Sequence, residues 1–165
     1  MTSAPQPPWW RGTRGEWFVA AQLVLIAVVF LAPRTLSGLP AWPAPLARIG
    51  TFAGSALMLA GVGLFLAGVF RLGSNLTPLP YPKPNGTFVQ TGPYRLVRHP
   101  IYAGGILLSY GWALVVHGWL TLLYATLLLI FLDIKSAREE RWLVARFSEY
   151  PDYQRRVRKL IPFIR

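Results

Sequence analysis

Four stretches of the chain are almost wholly apolar, at about residues 17–32, 51–70, 101–116 and 119–134, and the polar positions between them are bunched rather than scattered. The second stretch carries no charge over twenty residues. At ~1.5 Å per helical residue that length matches the ~30 Å hydrocarbon core of a bilayer. The third and fourth stretches are parted only by His117-Gly118. This predicts an antiparallel helical hairpin, with Gly118 taking the positive φ of a helix C-terminus. The expected fold is all-α and integral to a membrane, with about four transmembrane helices and a cytoplasmic C-terminal helical tail. One domain spans 1–165: two N-terminal transmembrane helices within 1–70, then a loop, the hairpin and the tail within 71–165.

Composition agrees, with 53% hydrophobic and 14% charged residues. The net charge of +11 raises nucleic acid as a partner, but its distribution argues against one. Fifteen of the seventeen Lys and Arg lie before the first stretch, after the second, or from Lys135 onward; only Arg34 and Arg48 lie elsewhere. If four helices alternate across the bilayer, the fifteen share one side, as the positive-inside rule requires, and both termini are cytoplasmic. Trp9, Trp10, Trp17, Trp42 and Trp119 lie near the expected boundaries, where an indole ring is favoured. The first stretch lacks a small-x-small cleavage site and reads as a retained anchor. Pro5–Pro8 and Leu39–Pro45 read as a disordered end and a short linker. There is no cysteine, and the two histidines, His99 and His117, fall on opposite faces of the membrane. The chain therefore predicts no disulfide, no thiolate nucleophile and no metal site.

The longest polar connection, 71–99, is extended by Pro78, Pro80, Pro82 and Pro84 and turned by Asn85-Gly86, with Thr87–Gln90 a short strand or a tether. It ends in Gly92-Pro93-Tyr94-Arg95-Leu96-Val97-Arg98-His99-Pro100-Ile101-Tyr102-Ala103-Gly104. Pro100 suits a first helical turn, so Arg98 and His99 stand at a helix N-terminus. The free N–H groups there, with Arg95 and Arg98, can bind a carboxylate or phosphate. Past the fourth stretch, Leu143, Phe147 and Tyr150 keep helical spacing, and projecting that stripe backward brings Glu139 and Glu140 onto or beside it. At least one of these carboxylates is expected to point inward; the competing arrangement is a solvated face of Glu139–Lys135 and Glu140–Arg141 pairs. A second helical piece, Asp152 to Lys159, is basic and ends at Ile161-Pro162-Phe163, which suits anionic headgroups.

Together these segments resemble the isoprenylcysteine carboxyl methyltransferase and phospholipid methyltransferase families of integral membrane enzymes. The resemblance rests on Gly-Pro-Tyr-Arg-x-x-Arg-His-Pro-x-Tyr-x-Gly, met by Gly92 through Gly104, and on Glu139, Glu140, Leu143, Phe147, Tyr150, Tyr153 and Pro162 in the tail. It covers roughly 71–165. It implies S-adenosylmethionine bound on the cytoplasmic side between loop, hairpin and folded-back tail, with a small lipophilic or lipid-linked acceptor entering from the bilayer. Under it, Arg95, Arg98, His99, Tyr102, Gly104, Glu139 and Glu140 are the cofactor-binding residues. Arg146 would orient a carboxylate or thiolate acceptor, and Glu140 or Tyr102 would take the proton of an amine. Methyl transfer from a sulfonium needs alignment and exclusion of water rather than a metal. The short, Arg-rich chain looks prokaryotic, where a prenylated cysteine is not the expected substrate. Two further readings remain open: an NADPH-dependent reductase of the sterol-reductase type, and a non-catalytic protein whose basic faces bind anionic lipid.

Overall fold

The computed structural model describes residues 14–81 and 83–160, so Trp9, Trp10, the Pro5–Pro8 tail and Pro162 lie outside the described residues. It contains five α-helices: α1 Glu16–Leu31, α2 Ala44–Leu72, α3 Pro100–Val115, α4 Trp119–Arg146 and α5 Tyr150–Arg156. Single 3₁₀ turns occur at Gly73–Asn75 and Gly92–Arg95. Among the described residues Thr87–Gln90 has no strand partner and is a tether.

Each apolar stretch became a helix, and two extend beyond it. With 29 and 28 residues, α2 and α4 are long and apolar enough to cross a bilayer. Their outer faces suit lipid: Ile49, Phe52, Leu59 and Phe70 on α2 stand largely uncovered, an apolar surface that a protein in water would hide. The chain is a membrane protein by this surface. The helices α1 and α3 have 16 residues each, ~24 Å at helical rise.

The closest packing joins α2 to α3. Gly50, Gly54, Gly61 and Gly68, spaced by four and then seven residues, make a buried stripe on α2. A β-carbon at Gly61 would come within 2.8 Å of the Gly104 carbonyl, and one at Gly104 within 2.7 Å of the Gly61 carbonyl. The backbones therefore touch, as small residues permit between membrane helices. Tyr110 meets Thr126 at 2.9 Å while Tyr102 meets Glu139 at 2.9 Å, so α3 and α4 run antiparallel. On α4's other side, Phe131 packs on Phe18 of α1, and Val29, Ile106, Leu128, Leu132 and Leu160 form the apolar core.

The turn between α3 and α4 differs from expectation by one residue. His117 takes the positive φ, 51°, and Gly118 does not, at −96°. The Gly118 N–H donates to the Ala113 carbonyl and the His117 N–H to the Leu114 carbonyl, the paired bonds of a Schellman terminus, which put the residue before Gly118 in the left-handed region. His117 holds the turn to α2 through Nε2, 2.9 Å from the Ala47 carbonyl and 3.1 Å from Thr51 Oγ1. The tilted rings of Trp42 and Trp119 pack beside it, and Leu120 N–H donates to the Arg34 carbonyl. The other end of the molecule gathers the start of α1, the 73–91 loop, the start of α3, the end of α4 and all of α5.

Candidate active site

At that end a cavity of about 330 Å³ opens between the loop, α3, α4 and α5, within the ~300–1,000 Å³ of small-molecule sites. Its walls are mostly apolar, with Phe65, Ile101, Leu143 and Phe147 among them, and Tyr102, His99, Glu139, Lys135 and Lys83 supply polar groups.

The loop is built before it closes the cavity. Asn75 Nδ2 donates to Thr87 Oγ1 at 3.1 Å and the Thr87 N–H returns a bond to Asn75 Oδ1 at 2.9 Å, pinning its two limbs. Lys83 Nζ donates to the Ser74 carbonyl at 2.8 Å, and Arg71 Nε to Thr91 Oγ1 at 2.7 Å. Phe88 then enters a nest of Phe147, Tyr150 and Tyr153, with ring centroids 5.3–5.5 Å away.

The tail folds back onto the motif through its backbone. The Arg98 N–H donates to the Arg158 carbonyl at 2.7 Å and the His99 N–H to the Lys159 carbonyl at 3.1 Å. Tyr153 donates its phenol to the Tyr94 carbonyl at 2.6 Å. Burial pushes the Tyr153 phenol well above its ordinary value, and burial followed by the Glu139 charge does the same for Tyr94, so both rings stay neutral donors at ordinary pH. Lys159, expected among headgroups, bonds Asp133 Oδ1 at 2.7 Å instead. The tail lies close enough to α4 for this pair to form.

The adjacent acids part company. Arg98 Nε reaches Glu140 Oε1 at 2.6 Å and its Nη2 reaches Oε2 at 3.2 Å. His99 Nε2 lies 3.1 Å from Oε1, and Gln154 Nε2 donates to Oε2 at 2.9 Å. Glu140 is thus fully engaged and does not line the cavity. It ties the Arg-His motif to α4 and α5, and no free lone pair faces a substrate amine. Glu139 does line the cavity; it accepts from the Tyr102 hydroxyl at 2.9 Å and lies 3.9 Å from His99 Nδ1. The His99 and Tyr102 rings stack with 6° between their planes. Neither acid forms the exposed helical pairs with Lys135 or Arg141.

Besides Glu140, three expected site residues lie elsewhere. Gly104 is pressed against Gly61 and Phe65 of α2, so a helix occupies the space a ligand would need. Arg95 is exposed and does not border the cavity. Arg146 donates to the Pro84 and Gly86 carbonyls and stacks on Phe147, serving the loop from outside. Arg98 borders the cavity, yet its guanidinium is spent on Glu140 and on the carbonyls of Gln154 and Val157. Reasoning from the sequence missed Lys135, which is 1% exposed. Its ammonium donates to Gln22 Oε1 on α1 and, at 3.0 Å, to the Pro78 carbonyl. Gln22 was the available signal, as a lone polar residue inside the first apolar stretch.

Residues 49–150 match the family described as phospholipid methyltransferase, which is more than half of the chain. The protein belongs to the phospholipid methyltransferase family. The matched segment holds the Gly92–Gly104 motif, both acids and Lys135; Gln22 and most of α5 lie outside it. The chain is also 29% identical over 150 residues to the cobalt-zinc-cadmium resistance protein CzcN of Cupriavidus metallidurans, covering 90% of this chain and 62% of that protein. It is 28% identical over 173 residues to the methanethiol S-methyltransferase of Pseudomonas deceptionensis, covering 95% and 64%. This phospholipid methyltransferase family member thus spans less than two thirds of the length of these curated relatives. The family it belongs to is described as one of methyltransferases, and two of the chain's helices are long and apolar enough to cross a membrane.

Proposed function

We propose that the protein transfers a methyl group from S-adenosylmethionine to a small lipophilic or lipid-linked acceptor at the cytoplasmic face of a prokaryotic membrane. The observation that carries this is the Tyr102–Glu139–His99 cluster on the wall of a mostly apolar cavity, held by the Arg98–Glu140 clasp. In this reading the whole chain acts as one membrane unit and all four long helices cross the bilayer. α3 is short because the site is carved into its cytoplasmic end. The gathering of basic segments at the cavity end supports the cytoplasmic assignment.

The donor suits the residues present. Glu139 offers a carboxylate for the ribose hydroxyls or the ammonium of the methionine part, and Tyr102 and His99 border the same cavity. When bound, the sulfonium supplies an electrophilic methyl group. The protein's part is positional. Glu139 is held in place by Tyr102, the Phe88 nest closes the loop side against water, and the clasp keeps the tail across the motif.

Calorimetry and thermal shift of the detergent-purified chain with S-adenosylmethionine, S-adenosylhomocysteine and NADPH test this. The first two are expected to bind and raise the melting temperature, by ~2.7 kcal/mol of apparent stability at a hundredfold excess over Kd. Binding of NADPH alone would support the reductase reading, and binding of none the anionic-lipid reading.

A further inference from the structure

The methyltransferase reading leaves the acceptor's reacting group open, and Lys135 bears on it. We propose that the Lys135 ammonium anchors the acceptor, and that the site takes a lipophilic acceptor reacting as an anion, a thiolate or a carboxylate, rather than an amine. This rests on the methyltransferase reading and narrows it.

Among the described residues no carboxylate lies within ion-pair distance of Lys135; its two partners, Gln22 Oε1 and the Pro78 carbonyl, are neutral. An ammonium has three N–H donors. Two are used by Gln22 and Pro78; Nζ also lies 5.3 Å from the centroid of the Tyr102 ring, and Lys135 and Tyr102 both line the cavity. Glu139, one turn on, acts on this charge from beyond ion-pair distance, and burying an ammonium without a direct ion-pair partner costs several kcal/mol. An ionisable residue held at such a cost among membrane helices belongs by default to a substrate path. Among the described residues the only carboxylate lining the cavity is Glu139, which accepts from Tyr102.

Depth separates the acceptor from the donor. Lys135 lies one turn, ~6 Å, before Glu139 on α4, and Gln22 sits in the middle of α1, so this cation stands on the bilayer side of the Tyr102–Glu139 cluster. Arg146, the residue expected to orient the acceptor, lies outside the cavity, and Lys135 provides the charge it lacks. A protonated amine arriving there meets a like charge. A thiol loses its proton to water more readily beside a cation.

The step balances. The thiolate sulfur or carboxylate oxygen attacks the sulfonium methyl carbon and a new bond to carbon forms. The methyl–sulfonium bond breaks, and its electron pair stays on the departing sulfur. Anion and sulfonium become two neutral products, after which Lys135 no longer has an anion to hold.

The test uses dodecanethiol, dodecanoate and dodecylamine, one chain length with three reacting groups, and measures S-adenosylhomocysteine release by the full chain in detergent. Turnover of the thiol or the carboxylate is expected, the two arms telling which, with the amine at least tenfold slower. Lys135→Met is expected to lower kcat/KM for the anionic acceptor at least a hundredfold while leaving S-adenosylhomocysteine affinity within threefold. With the thiol, it is expected to move the pH–rate profile to higher pH. Gln22→Leu, which keeps the cation but frees it, is expected to raise KM without changing cofactor affinity, and it carries the test should Lys135→Met not fold. Preference for the amine, turnover of none of the three, or a matching loss of S-adenosylhomocysteine affinity in both variants would overturn the proposal. Failure of the wild-type chain to bind S-adenosylhomocysteine would instead overturn the methyltransferase reading itself.

Discussion

At the scale of single residues, Glu139 and Glu140 are neighbours in sequence with different surroundings, and that difference is measurable. Glu140 bridges Arg98, His99 and Gln154, and breaking a buried pair from one side costs ~3–5 kcal/mol. Glu140→Ala should lower the melting temperature markedly. Glu139→Gln should keep the melting temperature of the ligand-free chain and weaken S-adenosylmethionine binding about tenfold or more by calorimetry. Equal stability loss in both variants would contradict the division. Tyr153 carries a pH prediction. Its phenol is raised above the ordinary value of 10.0 by burial, so the neutral form is favoured on folding. That contribution is complete below pH 10 and is lost as pH climbs toward the folded value. The melting temperature should fall above pH 10, and Tyr153→Phe should blunt that fall while costing ~1–2 kcal/mol at neutral pH for the unpaired Tyr94 carbonyl.

At the scale of elements, the α2–α3 contact decides where the site can stand. The glycine stripe brings the two backbones together, which fixes the start of α3, and hence His99 and Tyr102, against the cavity. Gly104 and Gly105 are adjacent but unequal: a β-carbon at Gly104 meets backbone and Phe65, whereas one at Gly105 meets nothing within 4 Å. Gly104→Ala should therefore cost ~1–3 kcal/mol by overpacking, and Gly105→Ala should be neutral or gain ~0.5–1 kcal/mol from helix propensity. Unfolding in detergent measures both, and a larger loss at Gly105 would exclude this packing.

At the scale of the whole molecule, the start of α1, the loop and the tail share one end with the cavity, while Arg34, Trp42 and His117 share the other. Cysteines introduced at Ser148 and Ser37 should therefore react with impermeant reagents from opposite sides of intact cells or spheroplasts, Ser148 from the cytoplasm. Labelling of both from one side would refute the four-crossing arrangement. The polarity of the molecule follows the same axis: charged groups crowd one end, and the exposed length of α2 and α4 is mostly apolar. In the proposed reaction a water-soluble donor and a membrane-dissolved acceptor would meet where these regions join.

Sequence alone determined the helices, because apolar runs in a chain this poor in charge must satisfy their own backbone bonds in lipid. It also singled out the Arg-His-Pro-x-Tyr motif and the acidic pair, since both are local patterns. Periodicity placed both acids near one stripe but could not say which faced the cavity, because Arg98 and Gln154 reach Glu140 from segments 42 and 14 residues away. Nor could it seat Lys135 beside Gln22, 113 residues distant. The glycines of α2 recur at spacings of four and seven residues along the chain, yet only the meeting with α3 turned Gly104 from a ligand neighbour into a helix contact. The turn register followed from two backbone hydrogen bonds and put His117, not Gly118, in the left-handed region. Local pattern decides what an element is; which of its side chains face the cavity is decided by partners brought from far along the chain.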